Sequence, residues 1–125
     1  MIKGIYVIYD TGICLYNKSS TNIASNDQLI AGFISALDRF CKNSIGENIS
    51  SISLKSLKFH FIRKNKIIFV FISEKNEKSK ILLPYFQKLI EDFDMEFTKQ
   101  QFEFEKQGLI PEFNNFDACV SNLCI

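Results

Sequence analysis

Three features of the chain belong to residue types that do chemistry: an acidic turn, a set of thiols with one imidazole, and a cluster of cations. The turn is Asp10-Thr11-Gly12. An Asp-Thr-Gly triplet also marks the aspartic-protease site, where two carboxylates share one proton. A short chain would supply one such Asp per subunit of a dimer. Here Ile13 follows the glycine, where that site carries a small hydroxyl residue or Ala. Apolar runs flank the triplet on both sides, which makes it a hairpin turn.

The thiols are Cys14, Cys41, Cys119 and Cys124, and the imidazole is His60. Zinc sites pair their cysteines at short spacings such as C-x2-C. Only Cys119 and Cys124 are close in sequence, so all four read as structural, reduced thiols, Cys14 and Cys41 as small core hydrophobes. His60 lies in Lys58-Phe59-His60-Phe61, a strand pattern that presents neither a nucleophile nor an orienting group. Lys55, Lys58, Arg63, Lys64 and Lys66 surround one hairpin and read as a solvated edge that discourages sheet-to-sheet pairing. Gly4, Gly12, Gly32, Gly46 and Gly108 never cluster into a phosphate-cradling loop. Glu91-Asp92-Phe93-Asp94 has too few ligands for a metal site. The expectation is a protein with no catalytic, metal-binding or cofactor-binding residues and no enzymatic role.

Composition bounds the class. The 125 residues form a single domain, residues 1–125, with 46% apolar and 23% charged residues, so the chain folds around a core. Thirteen Phe and no Trp require that core to be packed by phenyl rings. Fifteen basic against fourteen acidic residues leave a net charge of +1, which argues against nucleic acid or an anionic membrane surface as partner. No run approaches the roughly 18 apolar residues that a membrane span needs. Met1-Ile2-Lys3-Gly4 leads straight into a strand pattern without the shape of a signal peptide, so a cytoplasmic location is expected.

The elements follow from periodicity. Ile2 to Tyr9 is an apolar strand, and Ile13 to Tyr16 returns as its hairpin partner. Asn17 to Ser25 reads as a loop, and Ser25 with Gln28 resembles a capping box. Leu29, Phe33, Leu37, Phe40 and Cys41 recur at helical spacing, with Ala36 on the same stripe and Asp38 off it; this helix runs to about Asn43, with Gly46 as its stop. Ile49, Ile52 and Leu54 mark a partly exposed third strand, Leu57 to Ile62 a fourth, and Ile67 to Ile72 a fifth. A second helix carries Leu82, Phe86, Leu89, Ile90 and Phe93, with Pro84 expected in its first turn. Pro111 opens a last helix with Phe113, Phe116, Val120, Leu123 and Cys124 on one side.

Strands buried on both faces read as solid apolar runs, and those buried on one face alternate. The first and fifth strands are solid, so they are neighbours at the centre. Hairpin connections then give the order 2-1-5-4-3 in a mostly antiparallel sheet. The first helix covers one face and the later two the other. The expected fold class is α/β (α+β): a three-layer α/β/α sandwich with topology ββαβββαα.

Several segments resemble the longin-like family, which includes the N-terminal domains of longin-type SNAREs, small subunits of clathrin adaptors, longin-fold subunits of the TRAPP complex and the N-terminal domain of the signal-recognition-particle receptor alpha subunit. Gly4 to Tyr16 is similar to the family's opening hairpin, Leu57 to Phe61 with Ile67 to Ile72 to its fourth and fifth strands, and Phe113 to Asp117 leading to Leu123 to its closing helix. The resemblance implies the same sheet order and a protein-interaction role in vesicle trafficking or small-GTPase regulation. The implied partners are a small GTPase, a longin- or roadblock-like subunit including a second copy of the chain (a homodimer), or a peptide segment. It also implies a peptide groove between the first helix and third strand. On the matching elements the candidate contacts are Ile30 and Ile34, named as exposed positions beside the main stripe, and Ser51, Ser53 and Lys55. The chain has neither a SNARE helix nor a membrane anchor, so it is expected to be a subunit or regulator of something larger. The alternatives are a roadblock- or profilin-like scaffold, or a small-molecule sensor with a closed internal pocket. A roadblock domain normally begins with a helix, and this chain begins with a strand.

Overall fold

The computed structural model describes residues 2–19 and 27–123. Ser25 of the expected capping box and Cys124 lie outside them. The chain forms β1 (Ile2–Tyr9), β2 (Cys14–Ser19), α1 (Asp27–Phe40), a π-helical turn (Cys41–Ile45), β3 (Ser51–Ser53), β4 (Leu57–Lys64), β5 (Ile67–Glu74), α2 (Ser79–Thr98), α3 (Gln101–Gln107) and α4 (Asn114–Leu123). The five strands make one sheet in the order β2-β1-β5-β4-β3. All four pairings are antiparallel.

The solid apolar runs do sit in the middle. Every residue from Ile5 to Tyr9 and from Ile67 to Ser73 is buried, with Ile5 opposite Phe71 and Val7 opposite Phe69. Alternation then divides the core in two. One layer joins Tyr6, Ile8, Cys14, Ile68, Val70 and Ile72 to Ala31 and Ile34 of α1. The other joins Ile5, Val7, Leu15, Phe69 and Phe71 to α2, α3 and α4. This second layer is packed by rings, as the Phe content requires. Phe71 stacks on Phe86 at 4.2 Å between centroids, Phe93 stacks on Phe113 at 4.6 Å, and Phe69 meets Phe93 edge to face at 5.4 Å.

The hairpin turn forms as expected. Tyr9 N–H donates to the Ile13 carbonyl at 2.8 Å, and Gly12 takes φ +96°, which a residue with a Cβ adopts only with strain. Gly46 ends the first helical segment at φ +84°.

Four boundaries differ from the sequence expectation. β2 continues through Asn17-Lys18-Ser19, because cross-strand pairing of Ser19 with Gly4 holds a polar edge strand that periodicity alone does not mark. Pro84 lies in the second turn of α2, where it removes the N–H that would have reached the Lys80 carbonyl. A further short helix, α3, fills the stretch before Gly108 and places Phe104 against Tyr9 at 4.9 Å. α4 opens at Asn114, three residues beyond Pro111, with the Glu96 carboxylate accepting from the N–H groups of Asn115 (3.3 Å) and Phe116 (2.7 Å). A carboxylate there satisfies orphan donors and suits the positive end of the helix dipole.

Candidate functional site

α1 decides the site because it does not bury the face its periodicity suggests. Of the expected stripe, Leu29, Phe33, Ala36 and Phe40 are exposed, Leu29 by 69% and Phe33 by 59%, and Leu37 and Cys41 are half-buried. The face against the sheet is Ala31, Ile34, Ser35 and Asp38. Polar pairing selects it. Ser35 Oγ donates to the Asp10 carbonyl at 3.0 Å, Arg39 donates to the same oxygen at 2.7 Å, and the buried Asp38 carboxylate pairs with the Arg63 guanidinium from β4. Small side chains then bring α1 close over β1 and β2.

A helix of 14 residues is about 21 Å long. Seated there, α1 leaves the outer strands β4 and β3 uncovered on that layer. The gap is a groove of about 740 Å³ lined by Leu29, Ile30, Phe33, Ile34 and Leu37 of α1, Tyr6 of β1, and Ile52, Leu54, Leu57, Phe59 and Phe61 at β3–β4. Every lining side chain is apolar or aromatic. Leu29, Phe33 and Leu54, exposed by 48%, form its open rim.

The five candidate contacts divide between two faces. Ile30 and Ile34 line the groove, but Ile34 is 5% exposed and forms its floor, so the expectation that it is an exposed position fails. Ser51 and Ser53 are exposed, opposite His60 and Lys58, and their side chains point to the α2 layer. Lys55 is exposed in the bend after β3. Sequence reasoning missed Leu29 and Phe33, which it assigned to the core, and Leu54, Leu57 and Phe59. The available signal was a surplus. Leu29, Ile30, Phe33, Ile34, Leu37 and Phe40 wrap more of α1 than one sheet face can cover.

Behind the sheet edge lies a second hollow, of about 420 Å³, between β3–β4 and the first turns of α2. Ser50, Ser51, Lys58, His60, Lys80 and Leu83 are among its lining residues. His60 is buried, with Nε2 2.8 Å from Ser73 Oγ and its ring 5.2 Å from that of Phe86. The imidazole therefore has the hydroxyl partner that the sequence pattern did not show. Ser73 Oγ donates on to the Glu74 carbonyl at 3.2 Å, and Ser73 is wholly buried, so this pair braces β4 against β5 while the imidazole borders the hollow. Burial, and then the nearby Lys58 ammonium, hold the His60 pKa below its ordinary value of 6.5.

The remaining chemical candidates are tied into the fold. Tyr9 donates to Glu105 at 2.6 Å, and Lys66 reaches the same carboxylate at 3.2 Å. The Tyr9 hydrogen bond and then Lys66 lower the Glu105 pKa, while burial and then Glu105 raise that of the Tyr9 phenol. Asp117 accepts from Tyr16 at 2.7 Å and Lys18 at 3.3 Å, which lowers its pKa and ties α4 to β2. Of the five-cation cluster, Arg63 and Lys64 of β4 and Lys66 of the β4–β5 turn pair with Asp38, Asp94 and Glu105, while Lys55 follows the edge strand β3 and Lys58 lies opposite its Ser53. Cys14 is buried and Cys41 half-buried, and burial with Asp92 beside it raises the Cys119 thiol. Among the described residues no three His, Cys, Asp or Glu side chains cluster to hold a metal, and no helix is long and apolar enough to cross a membrane.

No protein-family model and no curated protein matches the sequence. Solved structures do match the fold. MglB of Myxococcus xanthus has a TM-score of 0.58 at 13% identity, covering 70% of this chain and 76% of that one. A roadblock/LC7 domain from Streptomyces avermitilis has a TM-score of 0.51 at 10% identity, covering 69% and 86%. The mammalian SRP receptor has a TM-score of 0.55 at 16% identity, covering 98% and 94%. The fold is roadblock/longin-like.

Proposed function

We propose that this chain is a non-enzymatic protein-interaction module that docks a segment of a partner protein in the groove between α1 and β3–β4. The observation that carries this is the outward apolar face of α1. Leu29 and Phe33 stay in water while Ser35 and Asp38 of the same helix are buried and paired. Leaving large apolar side chains exposed around a preformed hollow forgoes about 1.5–3 kcal/mol of burial for each, which a docked segment restores. The roadblock/longin-like fold supports the same reading. In line with the resemblance, the partner is a small GTPase, another longin- or roadblock-like subunit, or a peptide segment, met in the cytoplasm during membrane trafficking or GTPase regulation.

Selection of a displayed peptide library on the immobilised protein tests this. The proposal expects enriched peptides whose affinity falls at least tenfold for Phe33→Ser. A library that enriches nothing, or binders indifferent to Phe33, contradicts it.

A second reading is a sensor of a small apolar molecule. The groove volume and its apolar lining favour it, whereas its open rim is not the closed pocket that such a sensor was expected to have. Native mass spectrometry of the purified protein, showing a retained ligand, would choose this reading instead.

A further inference from the structure

The open edge of β3 carries a code on both sides. Phe61 N–H donates to the Ser50 carbonyl at 3.0 Å and Leu54 N–H to the Leu57 carbonyl at 2.8 Å. In an antiparallel ladder such pairs alternate, so Ser50, Ile52 and Leu54 face β4, and the N–H and C=O groups of Ser51 and Ser53 point away from it. Among the described residues no strand lies beyond β3. On one face of this edge Ile52 and Leu54 line the apolar groove. On the other, Ser51 lies beside the hollow that holds Lys58 and Lys80. These lysines differ from several cations on the sheet strands and their turns. Lys3, Lys18, Arg63, Lys64 and Lys66 each have a carboxylate within reach, and Lys58 and Lys80 form no ion pair among the described residues.

We propose that β3 receives an extended segment of a partner protein as a sixth strand, with alternating acidic and apolar side chains. The apolar ones enter the α1 groove and the carboxylates face Lys58 and Lys80. This rests on the groove being a docking site and adds the chemistry of its occupant. Side chains directly opposite one another share a face. A residue opposite Ile52 therefore meets Leu29 and Phe33, and residues opposite Ser51 and Ser53 meet the lysines. Backbone pairing supplies register, and the positive hollow selects against basic or neutral alternatives.

The probes are capped hexapeptides alternating Glu with Leu, Gln with Leu, or Lys with Leu, titrated against the whole protein by fluorescence anisotropy. The Glu/Leu peptide is expected to bind about fivefold more tightly than the Gln/Leu peptide, the range of two exposed ion pairs, and Lys/Leu more weakly still. A Lys58→Gln, Lys80→Gln double variant should erase the Glu preference, and high salt should shrink it. Ser53→Pro, or N-methylation of the peptide backbone, should remove binding, because each deletes an outward or inward ladder donor; the peptide arm holds even if the protein variant fails to fold. Equal affinity for Glu/Leu and Gln/Leu, or a preference that survives loss of both lysines, overturns the acidic-strand proposal and leaves the groove reading intact if Phe33→Ser still abolishes binding. Binding by none of the peptides overturns the proposal, and the library selection then decides the groove reading separately. A dimer in sedimentation equilibrium that Ser53→Pro dissociates would assign the edge to a second copy of this chain and also overturn it.

Discussion

Asp38 illustrates why hydrophobic spacing alone misplaces a helix. Its carboxylate is buried under α1 and joined to Arg63, which is itself mostly covered. Two desolvated charges break roughly even when paired, but a lone one is costly. Asp38→Ala should therefore destabilise the fold by about 3 kcal/mol in urea unfolding, and Asp38→Leu combined with Arg63→Met should recover most of that loss. Neither partner is marked in the sequence, since Asp38 looks like a solvent residue on a helix and Arg63 like part of a charged turn. Their pairing is a tertiary fact across 25 positions, as is the bond from Ser35 to Asp10. His60 makes a second residue-scale prediction. Its folded pKa lies below the ordinary 6.5, so on acidification the unfolded chain takes up a proton before the folded one. Stability should be level above about pH 7, fall as pH drops through 6.5, and level again below the folded value. His60→Gln should remove that dependence when melting temperature is followed against pH.

At the scale of elements, the strands were legible and the helix phase was not. β1 and β5 are apolar at nearly every position because both faces are covered, and such a run has only one place in a layered fold. α1 carries two overlapping apolar stripes, one through Leu29 and Phe33, the other through Ile30 and Ile34. Spacing cannot rank them. The small residues Ala31 and Ser35 and the ion pair of Asp38 do, by letting the backbone approach the sheet. Substitution separates the two stripes. Ile34→Ser should cost about 3 kcal/mol, whereas its neighbour Phe33→Ser should cost less than about 1 kcal/mol, both by chemical denaturation. The reverse order would restore the stripe that spacing suggests. α4 depends on a cap that lies 18 residues before the helix starts, too distant for a sequence pattern to reveal. Glu96→Ala removes acceptors from two N–H groups, and should lower stability by about 1–2 kcal/mol. Amide exchange should accelerate first in Asn115 and Phe116.

For the whole molecule, the sheet separates two unequal cores. The layer beneath α2, α3 and α4 is packed by phenyl rings, with a smaller hollow only toward β3–β4. The layer beneath α1 is only half roofed, and its uncovered part is the groove. This asymmetry follows from helix length and seating, and it sets the free β3 edge beside the exposed apolar rim. Family resemblance pointed to α1 and β3, two of the elements that line the groove. It placed the contacts one helical position away from the rim, at Ile30 and Ile34, because the orientation of α1 depends on partners far along the chain.

The central claim is that this half-open layer is where a partner binds. Its most direct test is an amide chemical-shift map of the labelled protein during titration with a library-selected peptide. Shifts concentrated at Leu29, Phe33, Ile52, Leu54 and Leu57 are predicted. Shifts confined to β2, α3 or α4, with these five unmoved, would contradict it.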